Sequence, residues 1–134
     1  MSDKALVIPY RDGQVLIQDR SNIKKIPYLP WGYFGGGIEE GETPTEAAIR
    51  EIKEELDLTI LSENLVPLEK FYNPQDLNPN IRHVFLIEFK KMVGEMKILE
   101  GKASKWVWVR ELLEYIESAT DIDIAQAAKQ FLLE

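Results

Sequence analysis

Three glutamates, Glu51, Glu54 and Glu55, stand close together in a stretch with helical periodicity. On a wheel of about 100° per residue they fall within an arc of roughly 100°. Opposite them Ile49, Ile52 and Leu56 form an apolar stripe about 60° wide. As plain helix design this is poor. Glu51 and Glu55 are an i,i+4 like-charge pair, which costs about 0.2–0.5 kcal/mol in an isolated helix. Glu54 and Glu55 also lie in the last turn, where the helix dipole favours cations. A divalent cation removes each cost, and convergent carboxylates suit hard Mg²⁺ or Mn²⁺, ions that in turn bind substrate phosphates. A solvated charged face is the plainer explanation of a Glu-rich helix. Spacing separates the two.

The elements around the glutamates are well marked. Thr43 is an N-cap, Pro44 takes the first helical position, and Glu46 completes a capping box. Before the helix, Gly35-Gly36-Gly37 lets backbone approach a ligand closely. Gly36, five residues, Glu42, seven residues and then Arg50-Glu51-Ile52-x-Glu54-Glu55-x-x-Leu58 resembles the Nudix box, G-x5-E-x7-R-E-U-x-E-E-x-G-U, where U is aliphatic. One fixed position departs: Asp57 stands where that family has glycine. Asp tolerates the left-handed conformation expected just past a helix end, so the departure should touch local stability rather than chemistry. A second departure is Phe34, where family members usually have proline.

Composition agrees with a single small enzyme domain over residues 1–134. Hydrophobic residues make up 45% and charged residues 29%, as in an ordinary soluble globule. The net charge of −7 argues against nucleic acid or an anionic membrane as partner, and requires local cations for a phosphate substrate. There is no cysteine, which excludes disulfides and thiolate chemistry and is compatible with the cytoplasm. No apolar run reaches the ~20 residues of a membrane span, and the N-terminus lacks a signal-peptide core.

In chain order, residues 5–10 and 14–19 form a hairpin about Asp12-Gly13, the second strand having one buried and one partly polar face. Residues 20–30 are loop, with Lys24 and Lys25 able either to reach phosphates or merely to solubilise. Residues 31–37 are one short strand entering the glycine turn. Residues 58–69 are mixed strand and loop, with Pro67 ending any pairing, and 71–80 are a loop long enough to cover a site. Residues 82–90 are the clearest strand. It carries His83, the only histidine, whose place at a strand edge speaks against a general-base role. After an irregular polar stretch, 106–109 are a strand. Residues 110–118 are an amphipathic helix with Leu112, Leu113 and Ile116 inward. A last helix over about 122–133 is capped by Thr120 or Asp121, with Ile124, Ala128, Phe131 and Leu132 as its core stripe.

The resemblance implies an α/β fold, a Nudix-type α/β/α sandwich with a mixed sheet between helices. It implies metal-assisted hydrolysis of a diphosphate linkage in a nucleotide, as monomer or homodimer. Glu54 and Glu55 would be the principal Mg²⁺ ligands (Mn²⁺ being the alternative ion), with the Gly35 carbonyl and Glu100 completing the shell. Glu51 would be a ligand or the base. Arg50 would orient a glutamate, and Glu42 would steady the turn. Glu100-Gly101 lies before Trp106 at the spacing seen in members that cleanse oxidised nucleotides, and Thr120, Asp121 and Asp123 occupy the region that reads the base there. This favours a nucleoside triphosphate pyrophosphohydrolase acting on an oxidised purine nucleotide. Pro74 points instead to ADP-ribose or a nucleotide sugar. A Nudix-like binding module without catalysis is the third reading, and retention of every box glutamate weighs against it.

Overall fold

A computed structural model describes residues 3–20, 30–97 and 103–133. Strand β1 (Lys4–Arg11) and strand β2 (Gln14–Asp19) are joined by Asp12 and Gly13, at φ 45° and 77°. Two positive φ values in a two-residue loop match the right-handed twist of the flanking strands. The two strands pair only next to the turn, at Tyr10–Val15 and Arg11–Gln14. Beyond it they part. Strand β4 (Phe34–Gly37) takes the freed edge of β1, while β7 (Ser104–Trp108) runs along the opposite edge of β2. The other edge of β1 pairs in parallel with β6 (Arg82–Glu88), followed by β5 (Val66–Phe71) at the sheet margin. The short β3 (Trp31–Gly32) lies against β2.

Helix α1 (Pro44–Leu56) covers one face of this mixed sheet and α2 (Ala119–Leu133) the other. Along β1, Leu6 and Ile8 belong to the α2-side core and Ala5 and Val7 to the α1-side core. This is the α/β/α sandwich with a mixed sheet. No helix among the described residues is long and apolar enough to cross a membrane.

Burial on both faces accounts for the first departure from the sequence reading. Val15, Leu16, Ile17 and Gln18 are all buried, so the partly polar face of β2 is covered as well. The strand expected over 31–37 is broken at Tyr33 into β3 and β4. Pro67 does not end pairing: it sits within β5, opposite Phe85, with a register shift between it and Glu69. Proline is tolerated on an edge strand or at a bulge because its missing N–H need not face a neighbour. Strand β6 stops at Glu88, and Phe89–Lys91 form a 3₁₀ turn. The expected helix over 110–118 is a 3₁₀ helix at Val109–Glu114, burying Leu112 and leaving Leu113 40% exposed. Helix α2 begins three residues early, because the Ser118 hydroxyl accepts from the Asp121 N–H at 3.2 Å. Ala125 joins Ile124 and Ala128 in the core, and Phe131 is left exposed.

Candidate functional site

The N-terminus of α1 is built as its sequence dictates. The Thr43 hydroxyl accepts from the Glu46 N–H at 3.1 Å, and the Glu46 carboxylate accepts from the Thr43 N–H at 2.9 Å. Asp57 ends the helix at φ 57°, ψ 30°, the left-handed conformation, where Lys53 lies 3.0 Å from its carboxylate. That neighbour holds the Asp57 carboxyl below its usual range.

Arg50 is the centre of the acidic cluster. Its Nε and Nη2 donate to both Glu42 oxygens, at 2.8 and 2.9 Å, a forked pair of the strong charge-assisted kind. Its Nη1 donates to Glu51 at 3.0 Å and to Glu54 at 3.3 Å, and Nη2 also reaches the Gly37 carbonyl at 3.0 Å. The hydrogen bond from Arg50 holds the Glu42 carboxyl down at about 2. Glu42 also accepts from the Glu39 N–H at 3.0 Å, which ties the glycine turn to the helix.

Glu55, expected with Glu54 as a principal metal ligand, is buried and only 5% exposed. Its carboxylate accepts from the Gly35 N–H at 2.8 Å and from the Gln18 amide at 2.5 Å. A helical wheel could not show that β2 and β4 close over this side of α1. Burial pushes the Glu55 carboxyl up to about 7, against the opposing pull of these two donors. A buried acid protonated in the folded protein and ionised in the unfolded chain stabilises the fold at low pH. The stabilisation is fully present below about 4.5 and lost as pH rises through about 7. For metal-free protein this is worth at most ~3 kcal/mol at 1.36 kcal/mol per unit. Glu55→Gln is expected to abolish the decline. Parallel denaturant titrations at pH 5 and pH 8 check it, and equal slopes for both proteins would contradict it.

Glycine is required at position 35 and leaves room for Glu51 at position 36. A Cβ on Gly35, which has φ 129°, would lie 2.0 Å from the Ala5 carbonyl oxygen. One on Gly36 would lie 2.6 Å from a Glu51 carboxylate oxygen, so Glu51 rests directly against the turn. Glu51, Glu54, Glu55 and the Gly35 carbonyl form an all-oxygen donor set around the end of β4, which suits a hard divalent cation. They are not gathered into a cage: no group of three or more acids or histidines among the described residues stands ready to hold an ion. Arg50 lies between Glu51 and Glu54, and Glu55 turns inward. Glu54, half exposed, is the freest to swing. Glu100, Lys24 and Lys25 lie outside the described residues.

A cavity of about 540 Å³ opens on the α2 face beside Gly35 and Gly36. Asp121 lines it, and so do Lys4, Arg20 and the 72–81 loop through Gln75 to Asn78. Arg82 Nη1 lies 3.3 Å from Asp121 and 3.2 Å from Asp76. Thr120, expected beside Asp121 as a binding residue, is fully buried and donates to Asp76 through its hydroxyl and, at 3.2 Å, its N–H. It latches the loop to α2 rather than facing the cavity. Asp123 accepts from the Asn73 amide at 3.1 Å. His83 stands away from the cavity lining, 4.0 Å from Asp3. Sequence reasoning passed over Gln18, Arg20 and Lys4. The signal for Lys4 was available, since it shares strand parity with the buried Leu6 and Ile8.

A family model described as the NUDIX domain matches residues 2–127. A CTP pyrophosphohydrolase of Escherichia coli K12 is 25% identical over 127 residues, 95% of this chain and 90% of that protein. The crystal structure of a MutT NUDIX hydrolase from Burkholderia pseudomallei superposes with a TM-score of 0.72 at 23% identity, covering 90% of this chain and 93% of that one. The E. coli dihydroneopterin triphosphate pyrophosphohydrolase gives 0.71 at 23% identity, over 98% and 94%. At these identities the two structural likenesses speak for the fold.

Proposed function

We propose, from the premise that the chain belongs to the NUDIX domain family of hydrolases acting on phosphorus-containing anhydrides, that it is a nucleoside triphosphate pyrophosphohydrolase using Mg²⁺ or Mn²⁺. The observation that carries this is the complete set Arg50, Glu51, Glu54 and Glu55, tied by Gly35 and Gly36 to the mouth of a cavity about 540 Å³ in volume. That volume is in the range of small-molecule sites.

In this reading Glu51 and Glu54, with Glu55 and the Gly35 carbonyl, hold the cation against the substrate's phosphates, and Glu100 is a further candidate. An ion held there would neutralise phosphate charge and lower the pKa of an attacking water. Arg50 keeps Glu51 and Glu54 oriented and, through Glu42, fixes the turn against the helix. Glu51 is a ligand or takes the water's proton. Asp121, in the cavity lining, accepts from N–H groups of the base, while Thr120 acts only through Asp76. The 1–134 chain is one catalytic domain.

The test is product analysis after incubation with Mg²⁺ or Mn²⁺ and a panel of ribo- and deoxyribonucleoside triphosphates, 8-oxoguanine triphosphates, ADP-ribose and nucleotide sugars. Monophosphate plus pyrophosphate from a triphosphate, at a kcat/KM at least tenfold above that for ADP-ribose, is the expected outcome. A preference for ADP-ribose or a sugar nucleotide, to which Pro74 in the loop points, would replace the triphosphate reading. No turnover of any member with either ion would leave a nucleotide-binding module.

A further inference from the structure

Lys4 is the unusual member of the cavity wall. It opens β1 on the parity of Leu6 and Ile8, and so stands on the α2 face of the sheet. Across the parallel register it neighbours Arg82, whose guanidinium is committed to Asp76 and Asp121. Arg20, also in the lining, donates to the Tyr33 carbonyl at 2.8 Å. The Lys4 ammonium itself makes no hydrogen bond or ion pair among the described residues, although Asp76 and Asp121 attract it from further off. Burial, then the charges of Arg82 and Arg20, push its pKa below the usual lysine value. A half-buried cation beside two others is costly unless something accepts a hydrogen bond from it.

With phosphates held at α1, the end of a substrate remote from them would lie toward Lys4. Gly36 pairs with Ala5, whose side chain belongs to the α1-side core, and it is over Gly36 that Glu51 rests. The acidic helix and Lys4 therefore face opposite sides of the sheet, meeting only at the glycine turn. A phosphate held by α1 leaves the base to enter the α2-side cavity.

We propose that Lys4 is a specificity-determining residue, whose ammonium donates to a ring carbonyl oxygen of the base held in the cavity. Guanine, cytosine and uracil carry such an oxygen; adenine does not. A site built to donate to an oxygen rejects a ring lacking it, because the donor is then left buried and unpaired. This rests on reading the chain as a nucleotide hydrolase.

The experiment is calorimetric titration of GMP, CMP and AMP into wild type and Lys4→Met, which keeps the aliphatic stem and removes the donor. Wild type should bind GMP and CMP roughly 10–100-fold more tightly than AMP. In Lys4→Met that ratio should fall to within about threefold, with thermal melting used to verify folding. Lys4→Ala, read the same way, covers the case in which Lys4→Met does not fold. An unchanged ratio, tighter AMP binding by wild type, or no binding of any monophosphate overturns the proposal. So does an equal loss for all three nucleotides, the signature of a phosphate contact. These measurements need no turnover, so a wild type that hydrolyses no triphosphate but keeps the binding ratio would overturn the hydrolase assignment and leave the role of Lys4 standing.

Discussion

Purified Glu54→Gln is expected to lose at least 10–100-fold in kcat at saturating Mg²⁺ while melting within about 2 °C of wild type. The two halves of this expectation come from different magnitudes. In the folded protein Glu54 is half exposed and makes one i,i+4 pair with Arg50, at 3.3 Å. Such pairs contribute only about 0.3–0.5 kcal/mol, and Gln preserves the side chain's size and helix propensity. Loss of one carboxylate from a metal's oxygen shell is a far larger effect on the reaction. Near-wild-type turnover at saturating metal would remove Glu54 from the machinery. A melting temperature lower by ten degrees would mean that the residue holds the fold instead.

The second large effect falls on stability. Gly35→Ala places a Cβ 2.0 Å from the Ala5 carbonyl oxygen at a residue with φ 129°. The colliding atom is backbone in the neighbouring strand, so β4 must move away from β1 and take with it the N–H that Glu55 accepts. Backbone strain of about 1–3 kcal/mol adds to an overpacking cost of similar size. Together they should lower the melting temperature by roughly 10–20 °C. Gly41→Ala is the control, because it too has positive φ (82°) but nothing within 4 Å of its would-be Cβ. It should show the strain alone, ~1–2 kcal/mol. Equal losses in the two variants would show that the clash at Gly35 relaxes without cost.

Local signals were well written into the chain. The capping box at Thr43 and Glu46, the Asp12-Gly13 turn and the left-handed Asp57 are each decided by residues within a few positions of one another. What was illegible depends on contacts between distant segments. Glu55 reads as a metal ligand like Glu54 on the acidic arc, with no sign of the burial that Gln18 and the Gly35 N–H bring to it. Arg50 reads as a partner of one glutamate, yet it reaches Glu42 and the Gly37 carbonyl because the turn folds back onto the helix. The amphipathic pattern of 110–118 carries no mark that distinguishes a 3₁₀ from an α-helix. Thr120 and Asp121 carry equal capping signals, and only the Ser118 cap turned one inward and left the other in the cavity wall.

The parallel pairing of β1 with β6 also sets an order of events during folding. The two strands are separated by roughly eighty residues, and β1 lies at the middle of the sheet. Chain synthesis at ~5–20 residues per second makes β1 wait about 4–16 s for that partner. The hairpin with β2 and the capped helix α1 rest on short-range contacts, which close quickly, whereas β1–β6 must first offset the entropy of a long loop. The acidic helix is therefore available before the sheet that supports it is whole. Lys4 and Arg82 meet across this long-range pair, which makes the cavity a late product of folding, so a chain arrested before β6 carries the glutamates without a pocket to serve.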